Sequence, residues 1–414
     1  MSKRKIAWKR IITIFSLLIA FIVCTLFIKD RISYSGKFSN NFGNVIIGTG
    51  NSGFIKILSL KDANITAENF NTSHLFISLQ GSLWKESLID DIGDVRCKDI
   101  YVGDADNDGK NEVLLGTHGE GYVIVYKKNS SKWDKTILEH NFIGKIDQQR
   151  KMSHKVDRKD LTYDTLVNSA VHIVKSGDVD NDGKNEVVAT ISSPLEFLAD
   201  EISFIRVYKL NESINAWQDY TVDELHGREF RSIAIGDVYN EGRNSLIIGI
   251  GSPGQKPGSV YIYSYDSGKW EKTLLHNDST EKNMKGLVIG DLENDGENEI
   301  VLATGFPKGI VHIFHWNKEE KKFSDKVIGA ISELFNISEA QFNSMAAEIV
   351  DFDLDGNKEI LVAGTTTFPN KKIGWEGADS GYLVLFKIQP DGSWEKRLLN
   401  SNNVLSLDIK NKKI

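Results

Sequence analysis

Nine residues, Asp104-Ala105-Asp106-Asn107-Asp108-Gly109-Lys110-Asn111-Glu112, constrain this chain more than any other stretch. Carboxylates stand at positions one, three, five and nine, where side-chain oxygens can surround a cation together with the backbone carbonyl of Lys110 at position seven. Calcium takes about six to eight such oxygens, and Gly109 permits the sharp turn. Without a cation the crowded carboxylates repel one another. The loop recurs as Asp178 to Glu186, Asp291 to Glu299 and Asp351 to Glu359, and Asp237 to Ser245 is a worn copy. A motif that returns in this way marks a repeat protein, so the 414 residues are not divided by length alone.

Short apolar runs flank each loop. Ile100-Tyr101-Val102-Gly103 enters the first, Val113 to Thr117 leaves it, Tyr122 to Tyr126 follows a glycine-rich turn, and another run starts at Trp133. This order predicts a four-stranded antiparallel unit, A to D, with the acidic loop between A and B. An EF-hand is excluded, because it needs a Glu at position twelve and a helix beyond. Position twelve here is Leu115, Ala189, Leu302 or Val362, each inside a β-rich run. The aromatic residues that open the D strands, Trp133, Trp217, Trp270, Phe323 and Trp394, are expected to pack between units.

The two ends are incomplete in complementary ways. Residues 44–49 resemble a B strand without its A strand, with C and D following near 54–58 and 84–89, and residues 404–409 resemble an A strand with nothing after it. Joining them completes one unit and removes exposed sheet edges. The expected fold is all-β, a six-bladed β-propeller closed by the C-terminal strand, or seven-bladed if 139–169 holds a degenerate unit.

At the N-terminus, Lys3, Arg4, Lys5, Lys9 and Arg10 precede an uncharged apolar stretch from Ile11 to Ile28. It is long enough to cross a bilayer, and the basic flank places the rest of the chain outside the cytoplasm. The expected organisation is a cytoplasmic tail (1–10), a single-pass transmembrane anchor (11–28), a linker (29–40) and a propeller (41–414). A cleaved signal peptide, which would leave a secreted protein, is the rival reading. Whole-chain net charge is −7, and the basic N-terminus makes the remainder more acidic still. That argues against nucleic acid as a partner. Cys24 lies in the apolar segment and Cys97 in the repeats, so no internal disulfide is expected.

The acidic loops and their strands resemble FG-GAP/VCBS-type repeats, the group that includes the propellers of integrin α-subunits, over roughly residues 40–410. Asp178-Val179-Asp180-Asn181-Asp182-Gly183-Lys184-Asn185-Glu186, followed by Val187-Val188-Ala189-Thr190, carries the resemblance best. It implies structural calcium at Asp104, Asp106, Asp108, Lys110 and Glu112, and at Asp178, Asp180, Asp182, Lys184 and Glu186. It implies two further sites, at Asp291, Glu293, Asp295, Glu297 and Glu299, and at Asp351, Asp353, Asp355, Asn357 and Glu359. In the worn loop, Tyr239, Glu241 and Ser245 replace ligands, and no metal is expected there.

The longer connections, 139–169, 192–203, 251–259, 329–344 and 365–381, fall on the face opposite the acidic loops. Loops on a rigid scaffold are where binding usually resides. His118, His154, His226, Arg228, Phe368 and Trp375 are the candidates there. No nucleophile elbow, phosphate-cradling loop or HExxH site is present. The reading that follows is a recognition module for a protein or glycan. A structural subunit of an envelope or membrane complex and a carbohydrate-active enzyme such as a polysaccharide lyase are the alternatives, and fold alone does not choose among them.

Overall fold

The structure, a computed structural model, describes residues 45–48, 54–60, 84–93, 95–146, 169–193, 202–251, 257–335, 340–353, 355–367 and 380–402. The expected anchor, the linker and the closing strand at 404–409 lie outside the described residues, as do His154, Phe368 and Trp375. Among the described residues no helix is long and apolar enough to cross a membrane.

The chain is all-β. A three-stranded sheet comes first, β1 (Val45–Gly48), β2 (Phe54–Leu60) and β3 (Trp84–Asp91). Then come β4 (Arg96–Gly103), β5 (Glu112–Gly119), β6 (Val123–Asn129) and β7 (Lys132–Glu139), followed by β8 (Ser169–Gly177), β9 (Glu186–Ser192), β10 (Ile202–Asn211) and β11 (Ala216–His226). The fourth sheet is β12 (Glu229–Gly236), β13 (Ser245–Gly251), β14 (Ser259–Asp266) and β15 (Lys269–Asn277). The fifth is β16 (Met284–Gly290), β17 (Glu299–Thr304), β18 (Ile310–Asn317) and β19 (Lys322–Ala330). A 3-10 turn at Ile331–Leu334 leads to the last, β20 (Gln341–Val350), β21 (Glu359–Thr367), β22 (Ser380–Ile388) and β23 (Trp394–Asn402). Every pairing within a unit is antiparallel and runs in chain order. The second and third units also join edge to edge, where His118 pairs with Ala170 and Gly119 with Ser169. The segment that might have held a further unit contains a helical turn at 142–146, and residues 147–168 are not described.

Burial explains why the sequence alternates so weakly in some strands. Strands β9 and β13 are buried at every residue, because both faces of each sheet are covered by a neighbour. The outer strands β7 and β15 are mostly exposed and are mostly polar, each with a Trp and one adjacent apolar pair. Each apolar cluster is shared by two consecutive sheets. Leu114, Val123 and Val125 of one meet Val187, Ala189 and Phe204 of the next, and Val188 and Val207 then meet Leu246 and Ile248. Ile247, Val260 and Ile262 meet Ile300, Leu302 and Phe314, and Val301 and Ile313 meet Val362 and Val384. The sheets therefore stack face to face in sequence order. Trp133, Trp217, Trp270, Phe323 and Trp394 pack partly buried against these shared clusters, as the sequence predicts. Cys97 is buried and outside any disulfide.

The first strands of successive units lie side by side, β4 by β8, β8 by β12, β12 by β16 and β16 by β20. Close approach demands glycine there. A Cβ on Gly177 would stand 3.0 Å from Ile235 Cγ2, and one on Gly236 would stand 3.0 Å from Ile289 Cγ2. Each of these strands also carries a bulge near its start, which sets one residue out of the ladder. The displaced residues are Lys98, His172, Arg231, Lys285 and Met345.

Candidate functional site

The acidic turns all join the first strand of a unit to the second, so they share one end of the sheets. Each is built by its own carboxylates. The N–H at position two donates to the carboxylate at position nine, as Ala105 to Glu112 Oε2 (2.9 Å), Val179 to Glu186 Oε2 (3.1 Å), Leu292 to Glu299 Oε2 (2.8 Å) and Phe352 to Glu359 Oε2 (2.8 Å). The glycine N–H donates back to position one, at 3.0 Å for Gly109 and Asp104 and 2.9 Å for Gly183 and Asp178. Gly109 can do so because its φ is +81°, which other L-residues rarely adopt. Position seven donates to position five from Lys110, Lys184, Glu297 and Asn357, to Asp108, Asp182, Asp295 and Asp355.

Several of these carboxylates keep an oxygen that the turn does not use, although Asp178 and Asp291 accept with both. Asp104 Oδ1, Glu112 Oε1, Asp180 Oδ1, Glu186 Oε1, Asp351 Oδ1 and Glu359 Oε1 are buried without a well-formed hydrogen bond. Oxygens of Asp104, Asp106 and Asp108 lie within 4.8 Å of one another, as do those of Asp178, Asp180 and Glu186, and those of Asp351, Asp353 and Asp355. Buried, convergent carboxylate oxygens with acceptor capacity to spare are what a hard cation requires. Burial, the largest effect, pushes Glu112, Glu186 and Glu299 up to about 7, with neighbouring carboxylates adding to it.

In the Asp104, Asp178 and Asp351 turns a lysine from the third strand reaches in. Lys127 pairs with Asp106 and, at 2.8 Å, with Asp108. Lys209 lies 2.5 Å from Asp180, 2.7 Å from Asp182 and 3.2 Å from Glu186. Lys387 lies 2.5 Å from Asp353, 2.6 Å from Asp355 and 3.0 Å from Glu359. The Asp291 turn differs. His315 takes the lysine's place and faces Glu293 at 3.2 Å, while Glu297 pairs outward with Lys318 at 2.7 Å.

Positions four and eight, which sequence reasoning passed over, tie each turn to the next. Asn107 Oδ1 accepts from Asn185 N–H at 2.6 Å, and Asn185 Nδ2 donates to Asp104 O at 2.7 Å. Asn181 and Asn244 repeat the pair at 2.7 and 2.9 Å, and Asn240 and Asn298 at 2.7 and 3.0 Å. At the last junction Lys358 replaces the asparagine and donates to Asp291 O. The signal was in the sequence, because asparagine stands at position four or eight of every turn but the last.

At the other end of the first strands, the bulge residues form a second cluster. Burial above all, then Arg231, Lys98, Lys285 and His118, hold His172 well below the usual imidazole range. Burial and then Lys98, Arg96 and Arg231 bring His118 down to about 4. Arg231 pairs with the buried Glu229, which also faces His172 at 3.3 Å. Lys285 Nζ lies 3.5 Å from Met345 Sδ, linking β16 to β20. His118 therefore stands as a neutral imidazole beside Lys98, Arg96 and Arg231, at the end of the sheets away from the acidic turns. His226 is exposed and paired with Glu224 at 2.7 Å, and Arg228 donates to Pro257 O.

These features define an all-β repeat protein, with sheets packed face to face, acidic turns at one end of the first strands and the bulge residues at the other. No family model matches the chain. It is 26% identical over 154 residues, 35% of this chain and 26% of the relative, to KICSTOR complex protein ITFG2 of Bos taurus. It is 24% identical over 159 residues, 36% of this chain and 31% of the relative, to the Mus musculus protein of the same name. The match thus spans about a third or less of those relatives. Among solved structures, a hypothetical selenium-binding protein from Sulfolobus tokodaii superposes with a TM-score of 0.49 at 13% identity, covering 88% of this chain and 76% of that one. The fold and the distant ITFG2 similarity fit a propeller-type protein.

Proposed function

We propose that this chain is a membrane-anchored, extracytoplasmic β-propeller of six blades, closed by its C-terminal strand, that binds an acidic protein or glycan. Calcium would be held at the Asp104, Asp178 and Asp351 turns by the carboxylates at positions one, three, five and nine. It would also be held at the Asp291 turn once Glu293 leaves His315. Its chemistry there is neutralisation of buried carboxylates, which would stiffen the ends of the first strands. Recognition belongs to the opposite end.

The observation that carries this reading is the part-exposed bulge lysines Lys98 and Lys285, on first strands at the end away from the acidic turns, with Arg231 of β12 at the same level and already paired to Glu229. Part-exposed lysines at one end of an otherwise acidic chain favour an anionic partner by electrostatic complementarity. The test is retention of the full chain, in detergent micelles with calcium, by immobilised polyglutamate, sulfated glycan and neutral dextran. Binding to the acidic supports should weaken with salt and be lost in Lys98→Glu/Lys285→Glu. Equal retention on dextran, or no effect of the double substitution, overturns the reading. The relatives are named as proteins of a complex, which favours a second reading, a subunit of a membrane complex. Stable co-purification of a fixed protein set from membranes would support it.

A further inference from the structure

A group of side chains far from the acidic turns converges on one point. His276 lies at the end of β15, His312 near the start of β18 and Asp325 on β19, so two consecutive sheets contribute. Asp325 stands two residues from Val327, the cross-strand partner of His312, and therefore on the same face of its sheet. Glu281, buried in the connection from β15 to β16, sets one oxygen 3.1 Å from His276 Nε2 and the other 3.1 Å from His312 Nε2. On the far side of the rings, His312 Nδ1 is 2.9 Å from Asp325 Oδ1, and His276 Nδ1 is 3.8 Å from Asp325 Oδ2. The ring centroids are 4.7 Å apart, and Phe314 packs against both rings.

The chemistry follows from which nitrogen carries the proton. A carboxylate only accepts, so Glu281 takes an N–H from each Nε2, and Asp325 takes one from His312 Nδ1 while no metal is present. An ion that displaces the Nδ1 proton would meet two imidazole nitrogens and a carboxylate from one side. We infer that His276, His312 and Asp325 form a binding site for a zinc-like transition-metal ion, separate in place and in chemistry from the acidic turns. Calcium takes oxygen ligands, whereas imidazole with one carboxylate suits zinc, cobalt, nickel or copper. Glu281 is the outer carboxylate that orients metal-binding histidines.

The spacing is within reach. One donor atom from each of the three residues lies within 4.8 Å of the others. Ligands on a tetrahedral zinc stand about 3.3 Å apart, so the group must tighten by about 1.5 Å. Asp325 can supply that movement, because its side chain is 38% exposed while His312 and Glu281 are each 4% exposed. The same exposure gives the ion a path in and leaves a fourth position to water. The ion would bridge the fourth and fifth sheets where no acidic turn reaches.

The test uses the full chain, stripped with chelator and returned to millimolar calcium so that the oxygen sites are filled. Cobalt(II) should then bind at one equivalent per chain, with the intense visible bands of a tetrahedral nitrogen-containing site, and zinc should bleach them. Asp325→Asn, at the exposed side, and His276→Gln should each weaken cobalt binding at least tenfold, with circular dichroism unchanged. Glu281→Gln should weaken it about 10–100-fold through loss of orientation. Absence of the bands, or binding indifferent to both Asp325→Asn and His276→Gln, overturns the inference and leaves an imidazole–carboxylate network held by protons alone.

Discussion

Lys209→Met tests whether the lysine ammonium and the proposed calcium ion compete for one turn. The Lys209 ammonium lies 2.5 Å from Asp180, 2.7 Å from Asp182 and 3.2 Å from Glu186, whose carboxylate is fully buried. Removing one partner of a buried ion pair costs about 3–5 kcal/mol. Lys209 is 31% exposed and Asp182 43%, so solvent screening reduces this to about 1–3 kcal/mol. Methionine keeps most of the apolar stem, so the loss reports the charge rather than the packing. Calcium bound among the same oxygens must first displace the ammonium. The substitution therefore weakens the metal-free fold and tightens calcium at this turn by a similar free energy. At about 1.4 kcal/mol per tenfold, that is roughly a 10–100-fold gain in affinity.

The assay is calorimetric melting in chelator and in saturating calcium, with a calcium titration of the wild type and the variant. The two read-outs should move in opposite directions, with a lower melting temperature in chelator and one calcium site bound more tightly. If Lys209→Met lowers the melting temperature equally in chelator and in calcium, and leaves the affinity unchanged, the lysine is a plain structural ion pair and the competition argument fails.

The pH dependence of the calcium effect follows from Glu112, Glu186 and Glu299, each raised to about 7 against an ordinary 4.5. Between those values the metal-free fold holds protons that the unfolded chain has released, so these groups make metal-free stability fall as pH rises. Calcium needs them ionised, and the gain in melting temperature on adding calcium should grow from pH 5 to 7 and level off above. His118 and His172, both lowered and remote from the turns, act equally with and without calcium and cancel from that difference. A calcium increment that is flat with pH would refute the assignment. Asn240→Ala should cost about 1–3 kcal/mol, from a lost bond to Asn298 N–H and from its φ of +55°, equally with and without calcium. Asn240→Gly should recover about 1 kcal/mol of this by removing the backbone strain. Equal losses in the two variants would show that strain plays no part.

Much of the fold was legible because it is written five times. Strand order and the acidic turns repeat in the same order at varying spacing, so Asp178 to Glu186 could be read by comparison with Asp104 to Glu112. The buried aromatic at each fourth strand was legible for the same reason. The lysines that enter the turns were not, because Lys127, Lys209 and Lys387 lie on the third strand and only pairing register brings them in. The cluster of bulge residues was hidden in a different way. Lys98, His172, Arg231 and Lys285 are bulge residues, and a bulge is a property of two paired strands rather than of either sequence alone. His276 and His312 come from non-equivalent strands of neighbouring sheets, so no repeat pointed to them.

The worn turn at Asp237 shows that the acidic turns do two separable things. It has lost the oxygen ligands at positions three and nine to Tyr239 and Ser245, yet it keeps Asp237, Asn240, Gly242 and Asn244. Those retained residues make the contacts that shape the turn and stitch it to both neighbours. Gly242 N–H donates to Asp237 at 2.6 Å, Asn244 reaches Asp178 O, and Asn240 receives Asn298 N–H. What replaced the ligands is apolar contact, because the Tyr239 ring meets Trp316 at 4.7 Å and Phe323 at 5.6 Å in the next sheet. Aromatic packing of this kind contributes without any ion to neutralise buried charge. The asparagine stitch is thus the shared requirement of every junction whose residues allow it. The third position then decides how the turn is filled, by a carboxylate that needs a cation or by a ring that needs none.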